Sequence, residues 1–390
     1  MRLTRSDRSL LSDWWFTVDR LMFSAVLLLM IGGLILSLAA SPPVATRLGL
    51  DQFHFFTRHA LLMGPALIVL VAASLLSPRT IRRVSLLIFA ASMVLMVATL
   101  FLGVEIKGAS RWLQFGGVSM QPSEFAKPAF VVMCAWLFSE TQSRDDVPSL
   151  PLVIAFYAVF VVLLVLQPDF GQALLVTLVW GNLFFLSGMP LFWVGVLAIG
   201  LLMGGMVAYL SVAHVAGRID RFINPAAGDT YQTDRAIEAF TNGGWFGTGP
   251  GEGSVKQTLP DAHADFVFAV VGEEFGLVTC FVLLCLFGFI VLRGIMRVRG
   301  ESDVFIRLGT IGLVTLFGLQ AIINMAVNVG LLPAKGMTLP FISYGGSSLI
   351  SMALTMGFAL GLTRRRPMTA RLDEPMPGVS SKPSLRRIKA

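Results

Sequence analysis

The stretch LPDAHADFVFAVVGEEFG, residues 259–276, sets five titratable side chains around an apolar run. Asp265 lies where the run begins, and a carboxylate at the edge of an apolar region can act as a general base because partial desolvation raises its pKa. The same aspartate could instead cap the helix, which contributes about 1 kcal/mol. His263 fits no metalloprotease or serine-hydrolase pattern, which favours a structural role. Glu273 and Glu274 lie two turns deeper, and at least one must face the protein interior.

A second set of charges lies in SRWLQFGGVSMQPSEFAKP, residues 110–128. Pro122 suits the first position of a helix, and Ser123 can cap it. Glu124 and Lys127 are three residues apart, so they share a helix face and can pair. Such a pair either neutralises itself within the membrane or lines a cavity, where intramembrane ions are usually found. Just outside this turn, Arg111 could clamp a phosphate or anchor the chain at the membrane surface.

Three further motifs carry polar groups near membrane boundaries. In QPDFGQ, residues 167–172, Asp169 is placed to cap the helix that follows. In PAKGMTLPFISYGGSS, residues 333–348, Lys335 precedes a run of small residues beginning at Ser343 that allows close helix packing. The glycines of NGGWFGTGPGEG permit close approach to a ligand, but no G-K-[ST] follows, so they do not form a P-loop.

The elements that position these residues must be membrane helices. Of 390 residues, 55% are hydrophobic and 14% are charged, with a mean hydropathy of +0.76. Soluble domains carry about 25% charged residues. The net charge of +7 is therefore attributed to the basic residues that membrane proteins carry on their cytoplasmic side, and nucleic-acid binding is not predicted. Three cysteines lie in apolar stretches without metal-site spacing, so they are predicted to be buried hydrophobic residues.

The apolar runs predict an all-α polytopic membrane protein with ten transmembrane helices. A large outer loop, 214–265, separates spans seven and eight. Residues 1–20 form a cytoplasmic segment, 21–363 the ten-span domain and 364–390 a disordered basic cytoplasmic tail. The predicted spans are 21–40, with Pro42 and Pro43 after it, 60–77, 84–104, 123–139, 151–167, 170–187, 191–213, 266–292, 308–332 and 339–363.

The distribution of lysine and arginine predicts the orientation. With both termini in the cytoplasm, the inner segments hold 20 Lys and Arg residues and the outer segments hold nine, while Lys127 lies inside a span. Cytoplasmic segments carry the excess of positive charge in membrane proteins. The motifs above therefore lie at the outer face of the membrane.

Four motifs in this order, GASRWLQFGGVSMQPSEFAK, QPDFGQ, PDAHADFVFAVVGEEFG and KGMTLPFISYGGSS, resemble the SEDS family (shape, elongation, division and sporulation). The resemblance covers residues 15–366, and Lys335 before GMTLPFISYGG is similar to the division branch rather than the elongation branch. It implies a peptidoglycan glycosyltransferase that polymerises lipid II, an undecaprenyl-diphosphate-linked disaccharide-pentapeptide. Glycan strands would form at the outer face of the inner membrane, at the division septum, with release of undecaprenyl diphosphate.

The resemblance also implies roles for single residues. The family's essential aspartate matches Asp265, whereas Asp261 and Ala264 depart from the family pattern and receive no essential role. The candidates for substrate binding are Arg111, Glu124, Lys127, Lys335, His263 and Ser343. The implied partners are a class B penicillin-binding protein transpeptidase, other divisome proteins and membrane lipid.

The chemistry agrees with these residues. The diphosphate is already a good leaving group, so a single inverting displacement needs a base for the acceptor hydroxyl and positive charge on the departing diphosphate. Asp265 suits the base, and Arg111, Lys127 and Lys335 suit the diphosphate. The sequence contains no dedicated metal cage, so Mg²⁺ or another divalent cation at the diphosphate is a further hypothesis.

Two other classes of function remain open at this point. A flippase that moves lipid II would also need ten spans and buried charges, but a proton-coupled carrier places ionisable groups near the bilayer midplane. Here the charges cluster toward the outer mouth, which favours surface chemistry. A purely structural scaffold of a division complex would give Asp265 and Lys127 no role. An elongation-type polymerase is the alternative within the family.

Overall fold

The computed structural model describes residues 10–106, 109–115, 118–141, 148–211, 215–217, 219–220, 231–333 and 336–365. Of the candidate site residues, only Lys335 lies outside these ranges. The helices are α1 (Leu10–Thr17), α2 (Arg20–Arg47), α3 (His54–Leu75), α4 (Pro78–Leu102), α5 (Pro122–Glu140), α6 (Ser149–Leu166), α7 (Phe170–Leu186), α8 (Leu191–Ser211), α9 (Tyr231–Gly243), α10 (Val267–Arg297), α11 (Val304–Asn328) and α12 (Gly346–Leu362).

The described part of the chain is nearly all helical, and each predicted span coincides with one of the helices α2–α8 and α10–α12. Six helices are long and apolar enough to cross a membrane, namely α2, α3, α4, α6, α10 and α11. Helices α7, α12 and the Gly195–Ser211 part of α8 are apolar but shorter. The protein is therefore a multipass membrane protein.

The all-α prediction missed a small sheet between α4 and α5. Strands β1 (Val104–Ile106), β2 (Ala109–Phe115) and β3 (Val118–Met120) form an antiparallel sheet in the order β1-β2-β3. Leu113 pairs with Met120 across β2 and β3. Strands this short give a weak sequence signal, because only three residues of β1 and β3 can show alternation. The sheet carries Arg111 on its central strand.

The end of the first span was predicted wrongly. Pro42 and Pro43 lie inside α2, which continues to Arg47. A proline lacks the N–H that would bond to the carbonyl four residues earlier, so Pro43 deprives the Ala39 carbonyl of its helical partner. Lys256 Nζ donates to that carbonyl at 3.2 Å instead. The Lys256 side chain therefore replaces the hydrogen bond that Pro43 removes from the helix.

The start of the tenth span was also predicted wrongly. Helix α12 begins at Gly346 and not at 339, and the preceding residues 336–345, the re-entrant segment, are irregular. Phe341 in this segment has a positive φ of 65°. Such backbone is acceptable at membrane depth only where protein covers it, and Leu339 and Ile342 are completely buried. A β-carbon at Gly33 of α2 would overlap the Phe341 carbonyl, so a glycine is required at this contact.

Helix α10 is interrupted at Gly276, whose φ of +78° and ψ of 174° are accessible almost only to glycine. The residues 243–249, the inserted loop, lie against the interruption and satisfy the backbone groups on both sides of it. Its four hydrogen bonds are Thr248 N to Glu273 O at 2.9 Å, Gly249 N to Glu274 O at 3.1 Å, Leu277 N to Gly244 O at 3.0 Å and Val278 N to Trp245 O at 3.2 Å.

The core lies where α5, α11 and α12 pack together, because these helices are buried on most of their surface. Gly312 of α11 lies against Val131 of α5, and Gly309 lies against Leu362 of α12. By contrast, α8 exposes large apolar side chains such as Phe192 and Leu202. The polar residues of α5 and α11 are thus held in the most rigidly packed part of the molecule.

Candidate functional site

Lys127 is the centre of a buried polar network. Its Nζ donates to Glu124 Oε1, Gln172 Oε1 and Gln320 Oε1, each at 2.9 Å. The lysine side chain is 0% exposed. An ammonium group has three protons, so all three are donated to protein acceptors. The predicted contact with Glu124 forms, and two glutamine side chains from α7 and α11 complete the shell.

Glu124 is held from several sides. Gln172 Nε2 donates to its Oε1 at 2.9 Å, and Ser351 of α12 donates to its backbone carbonyl at 2.6 Å. The N-cap residue of this helix is Gln121 and not Ser123, which lies inside the first turn. Pro122 at the first helical position explains the shift, because its fixed φ already starts the helix at that residue.

Arg111 and Asp169 form a second ion pair next to this network. Arg111 Nη1 lies 3.0 Å from Asp169 Oδ2, and Gln121 Nε2 donates to the same oxygen at 3.1 Å. Asp169 also accepts from the Gln172 N–H at 3.4 Å, so the predicted cap of α7 is confirmed. The arginine is 19% exposed and the aspartate 3%. Arg111 is therefore partly exposed, while the carboxylate that it contacts is buried.

A stripe of three amides on α11 connects Lys127 with the segment that carries Asp265. Gln320, Asn324 and Asn328 are spaced four residues apart and so lie on one face. Asn324 Nδ2 and Asn328 Nδ2 each donate to the Asp265 carbonyl at 2.9 Å. Asn328 Oδ1 accepts from the Ala269 N–H at 3.0 Å. The amide stripe thus fixes both the backbone of Asp265 and the first turn of α10.

The same stripe holds the re-entrant segment. Asn324 Nδ2 donates to the Met337 carbonyl at 2.5 Å, and Gln320 Nε2 donates to the Thr338 carbonyl at 3.2 Å. Thr338 in turn shares a hydrogen bond of 2.6 Å with Ser348 of α12. The re-entrant segment, Asp265 and Lys127 are therefore joined through α11 into one connected polar network.

Asp265 is not the N-cap residue of α10. The N-cap residue is Phe266, and residues 261–266 form turns before the helix. The Asp265 side chain is half-buried, and a β-carbon at Gly336 would lie 3.6 Å from Asp265 Oδ2. The carboxylate thus lies beside the re-entrant segment, at the residue that follows Lys335 in the chain. Asp265 is therefore not at the N-cap position that the sequence suggested for it.

His263 lies in an aromatic cluster next to the aspartate. Its ring is 4.1 Å from that of Phe55 and 5.7 Å from that of Tyr344. The His263 carbonyl accepts from the Tyr344 N–H at 2.9 Å. The histidine therefore ties residues 261–266 to α3 and to the re-entrant segment, in line with a structural role.

Glu273 and Glu274 are completely buried, as predicted for interior contacts. Glu273 accepts from the Val255 and Lys256 backbone N–H groups at 2.7 and 2.8 Å and from Asn242 Nδ2 at 2.9 Å. Glu274 forms an ion pair with Lys256 Nζ. The two carboxylates therefore hold Asn242, Val255 and Lys256 against α10.

Ser343 is 3% exposed, and its Oγ accepts from the Leu339 N–H at 2.8 Å. It stabilises the turn of the re-entrant segment, whereas Ser347 and Ser348 contact Gln121 and Thr338. Across the described ranges, no three His, Cys, Asp or Glu side chains converge so as to hold a metal ion. The described site is thus built from two ion pairs and a set of amides and hydroxyls.

Sequence reasoning missed the amides. Gln172 and Gln320 fill the shell of Lys127, and Asn324 and Asn328 fix Asp265. The spacing of residues 320, 324 and 328 within an apolar span was a readable signal, because polar residues on one face of a membrane helix point to the bundle interior. Gln121 lies before a helix and gave no such periodicity.

The family model described as "Cell cycle protein", for FtsW, RodA and SpoVE, matches residues 19–367. A probable peptidoglycan glycosyltransferase FtsW of Caulobacter vibrioides is 44% identical over 364 residues, covering 93% of each chain. The corresponding protein of Aliivibrio salmonicida is 32% identical, covering 90% of this chain and 91% of the relative.

Solved structures show the same architecture. A chain from a study of the structural coordination of polymerization and crosslinking by a peptidoglycan synthase complex is 27% identical, with a TM-score of 0.73, and covers 89% of this chain and 97% of its own. Thermus thermophilus RodA, a rod shape determining protein, is 27% identical with a TM-score of 0.66, covering 90% and 97%. The chain therefore belongs to the FtsW, RodA and SpoVE family of cell cycle proteins, the SEDS family that its four motifs resemble.

Proposed function

We propose that this protein is a peptidoglycan glycosyltransferase that polymerises lipid II into glycan strands and releases undecaprenyl diphosphate. The observation that carries the proposal is the 44% identity over 93% of both chains to a relative named as a probable peptidoglycan glycosyltransferase FtsW. The FtsW name of that relative and of others, together with Lys335, supports the division branch over the elongation branch.

Asp265 is the proposed general base. It takes the proton of the acceptor sugar hydroxyl as that oxygen bonds to the donor's anomeric carbon, and the bond from this carbon to the diphosphate breaks with inversion. Support comes from the placement of the carboxylate outside the helix, half-buried and beside Gly336. Because Asn324 and Asn328 bind the Asp265 carbonyl, its position is fixed before substrate arrives.

Arg111 and Lys335 are the proposed contacts of the departing diphosphate. Arg111 keeps guanidinium donors beyond its bond to Asp169, and a guanidinium matches the geometry of phosphate oxygens. Lys127 and Glu124 have a supporting role beneath Arg111. The three ammonium protons of Lys127 are already donated within the protein, so none is left for the diphosphate. A divalent cation would be held mainly by diphosphate oxygens.

We propose ten membrane spans with both termini in the cytoplasm and a large outer loop at 214–265. Arg47 Nη2 donates to the Leu259 carbonyl at 2.7 Å, which joins two segments assigned to the outer face. At the other end, Arg293 pairs with Asp19 at 2.8 Å, and Arg364 donates to the Leu75 carbonyl at 3.0 Å. These contacts agree with the excess of basic residues on the assigned inner side.

The proposed location is the inner membrane at the division septum. The proposed partners are a class B penicillin-binding protein transpeptidase and other divisome proteins. The structural likeness to a chain of a peptidoglycan synthase complex supports a partner of this kind. A transpeptidase would crosslink the strands that the glycosyltransferase extends, so the two activities are expected to be coupled.

The test compares purified wild type, Asp265→Asn and Asp261→Asn with labelled lipid II in the presence of the transpeptidase partner. We expect glycan strands from the wild type and from Asp261→Asn, and none from Asp265→Asn at equal thermal stability. Polymerisation by Asp265→Asn at the wild-type rate would refute the role of the base. Movement of lipid II across vesicles without polymerisation by the wild type would favour a flippase instead.

A further inference from the structure

Lys256 is a buried charged residue that has no part in the proposed chemistry. It is 4% exposed, and its side chain contacts two helices at once. Its Nζ forms an ion pair with Glu274 of α10 and donates to the Ala39 carbonyl of α2 at 3.2 Å. Glu274 Oε2 has no hydrogen-bond partner within the described ranges, so the charge of this carboxylate is offset by the lysine. One side chain therefore links α2 with α10.

The backbone of Lys256 is also bound to α10. Its N–H donates to Glu273 Oε2 at 2.8 Å, and the Val255 N–H donates to Oε1 of the same carboxylate at 2.7 Å. Val255–Gln257 form a single 3₁₀ turn, so both N–H groups belong to one short element. Glu273 is completely buried, which keeps water away from these hydrogen bonds. The lysine is thus fixed through its backbone as well as through its side chain.

The residues 255–265, the anchored segment, lead from this turn to Asp265. Between the two ends, Leu259 and Ala262 are completely buried, and the Leu259 carbonyl accepts from Arg47 Nη2 at 2.7 Å. At the far end, the amide stripe of α11 holds the Asp265 carbonyl. A displacement at the lysine would therefore be passed along a packed segment whose other end carries the proposed base.

Stability alone does not explain a lysine at this position. Well-packed apolar residues often stabilise a protein as much as a buried ion pair does. An apolar side chain, however, could not donate to the Ala39 carbonyl, which Pro43 leaves without its helical partner. The lysine replaces this bond of α2 and, through the same atom, sets the distance between α2 and α10.

We propose that Lys256 is a positioning residue for Asp265. It holds the anchored segment between α2 and α10 and thereby keeps the Asp265 carboxylate within reach of the acceptor hydroxyl. A misplacement of about 1 Å can cost about a hundredfold in rate, so release of this contact should lower kcat and leave KM nearly unchanged. The inference rests on the proposed function, because it takes Asp265 as the general base.

The test measures kcat and KM of polymerisation with labelled lipid II and the transpeptidase partner. It compares wild type, Lys256→Met, and Lys256→Met combined with Glu274→Gln. The single variant leaves Glu274 buried without its countercharge, so we expect a lower thermal midpoint. The double variant should recover most of the midpoint, because no buried charge then lacks a partner.

The kcat of the double variant separates positioning from stability. We expect it to stay about tenfold below that of the wild type, with KM within about twofold, because the Ala39 carbonyl still has no donor from residue 256. Recovery of both the thermal midpoint and kcat to wild-type values would overturn the proposal. Lys256 would then serve only to neutralise Glu274.

The matched control is Asp19→Asn, which removes a buried carboxylate paired with Arg293 at the opposite end of the bundle. We expect a lower thermal midpoint and the kcat of the wild type, measured at a temperature where the variant is folded. If kcat fell as far as in Lys256→Met at the same loss of midpoint, general destabilisation would be sufficient and the proposal would be wrong.

Amide hydrogen exchange tests the positioning without the reaction. We expect faster exchange over the anchored segment in both Lys256 variants, unchanged exchange over α5, and no change over the anchored segment in Asp19→Asn. Unchanged exchange over the anchored segment in the Lys256 variants would also overturn the proposal. A wild type that makes no glycan strands would refute the proposed function, whereas the exchange measurement would still decide whether Lys256 fixes the segment.

Discussion

Lys127 shows how a charged residue is tolerated inside a membrane protein. Its ammonium group is completely buried, and each of its three protons is donated to Glu124, Gln172 or Gln320 at 2.9 Å. Burial of an isolated charge would cost several kcal/mol, whereas a paired and fully hydrogen-bonded charge is stable. The lysine therefore organises α5, α7 and α11 around the proposed diphosphate site.

Replacing Lys127 by methionine should be strongly destabilising. The substitution leaves Glu124 buried without its countercharge, and loss of one partner of a buried pair costs about 3–5 kcal/mol. We expect a clearly lower thermal midpoint and loss of polymerisation, measured with the purified variant and labelled lipid II.

The double variant Lys127→Met with Glu124→Gln separates stability from function. Removal of both charges should recover most of the thermal midpoint, because no buried charge then lacks a partner. Polymerisation should stay low, since the network that supports the proposed diphosphate surface would lose the three hydrogen bonds that Lys127 donates. A double variant as unstable as the single one would contradict the assignment of Glu124 as the lysine's essential partner.

At the scale of elements, the interruption of α10 makes the site possible. In a continuous helix the Leu277 and Val278 N–H groups would bond to the Glu273 and Glu274 carbonyls. The inserted loop supplies partners both for these two N–H groups and for the two carbonyls, so the buried backbone groups stay paired. The inserted loop is thereby hydrogen-bonded to α10. These bonds fix the start of the segment that continues to Lys256 and Asp265.

Gly276→Ala tests this arrangement. A β-carbon at residue 276 would overlap the Trp245 carbonyl, and the positive φ is strained for alanine. We expect a loss of about 3 kcal/mol or more, from strain and from displacement of the inserted loop. The thermal midpoint and the polymerisation rate should both fall.

Gly288→Ala on the same helix is the control. No atom lies within 4 Å of a β-carbon at residue 288. Alanine favours a helix over glycine by up to about 1 kcal/mol, so the thermal midpoint should stay equal or rise slightly. Equal losses in both variants would mean that the interruption plays no special part.

At the scale of the whole molecule, the two ends of the bundle are held together differently. The end that carries Asp265 uses loops and the re-entrant segment, while the opposite end uses an ion cluster around Asp19. Asp19 caps α2, accepting from the Met22 N–H at 3.0 Å, and lies 2.8 and 3.5 Å from Arg293 and Arg297 of α10. The cluster joins the first and eighth spans at the proposed cytoplasmic surface.

The pKa of Asp19 gives this cluster a defined pH dependence. Burial raises the pKa, but the Met22 hydrogen bond and the charges of Arg293 and Arg297 outweigh it and hold the pKa below its ordinary value of 3.8. A carboxyl with a depressed folded-state pKa contributes stability above the unfolded value, and that contribution is lost as the pH falls through the folded value. The cluster should therefore be intact at neutral pH and weaken only in strong acid.

Asp19→Asn tests the cluster. We expect a loss of about 1–3 kcal/mol at pH 7, seen as a lower thermal midpoint than that of Asp303→Asn. Asp303 caps α11 at the same end by accepting from the Ile306 N–H at 3.2 Å. The difference between wild type and Asp19→Asn should shrink only below pH 3.8. A difference that disappears between pH 7 and pH 5 would contradict the depressed pKa.

The sequence by itself determined the features that depend on neighbours along the chain. Apolar run length predicted the positions of helices α2–α8 and α10–α12, the spacing of Glu124 and Lys127 predicted their pair, and the position of Asp169 predicted its cap. Each of these depends on contacts within three or four residues, where helix geometry alone decides which side chains meet. The roles of Asp265 and the other candidate residues stay predictions that rest on the resemblance.

Only the tertiary structure decided which helix faces meet. Arg111 pairs with a residue 58 positions away, and Gln320 reaches Lys127 across 193 positions, so no local pattern could specify either contact. The interruption at Gly276 and the late start of α12 were likewise hidden inside apolar runs. In both places the backbone groups released from the helix are bonded by distant segments, and apolar length carries no information about such partners.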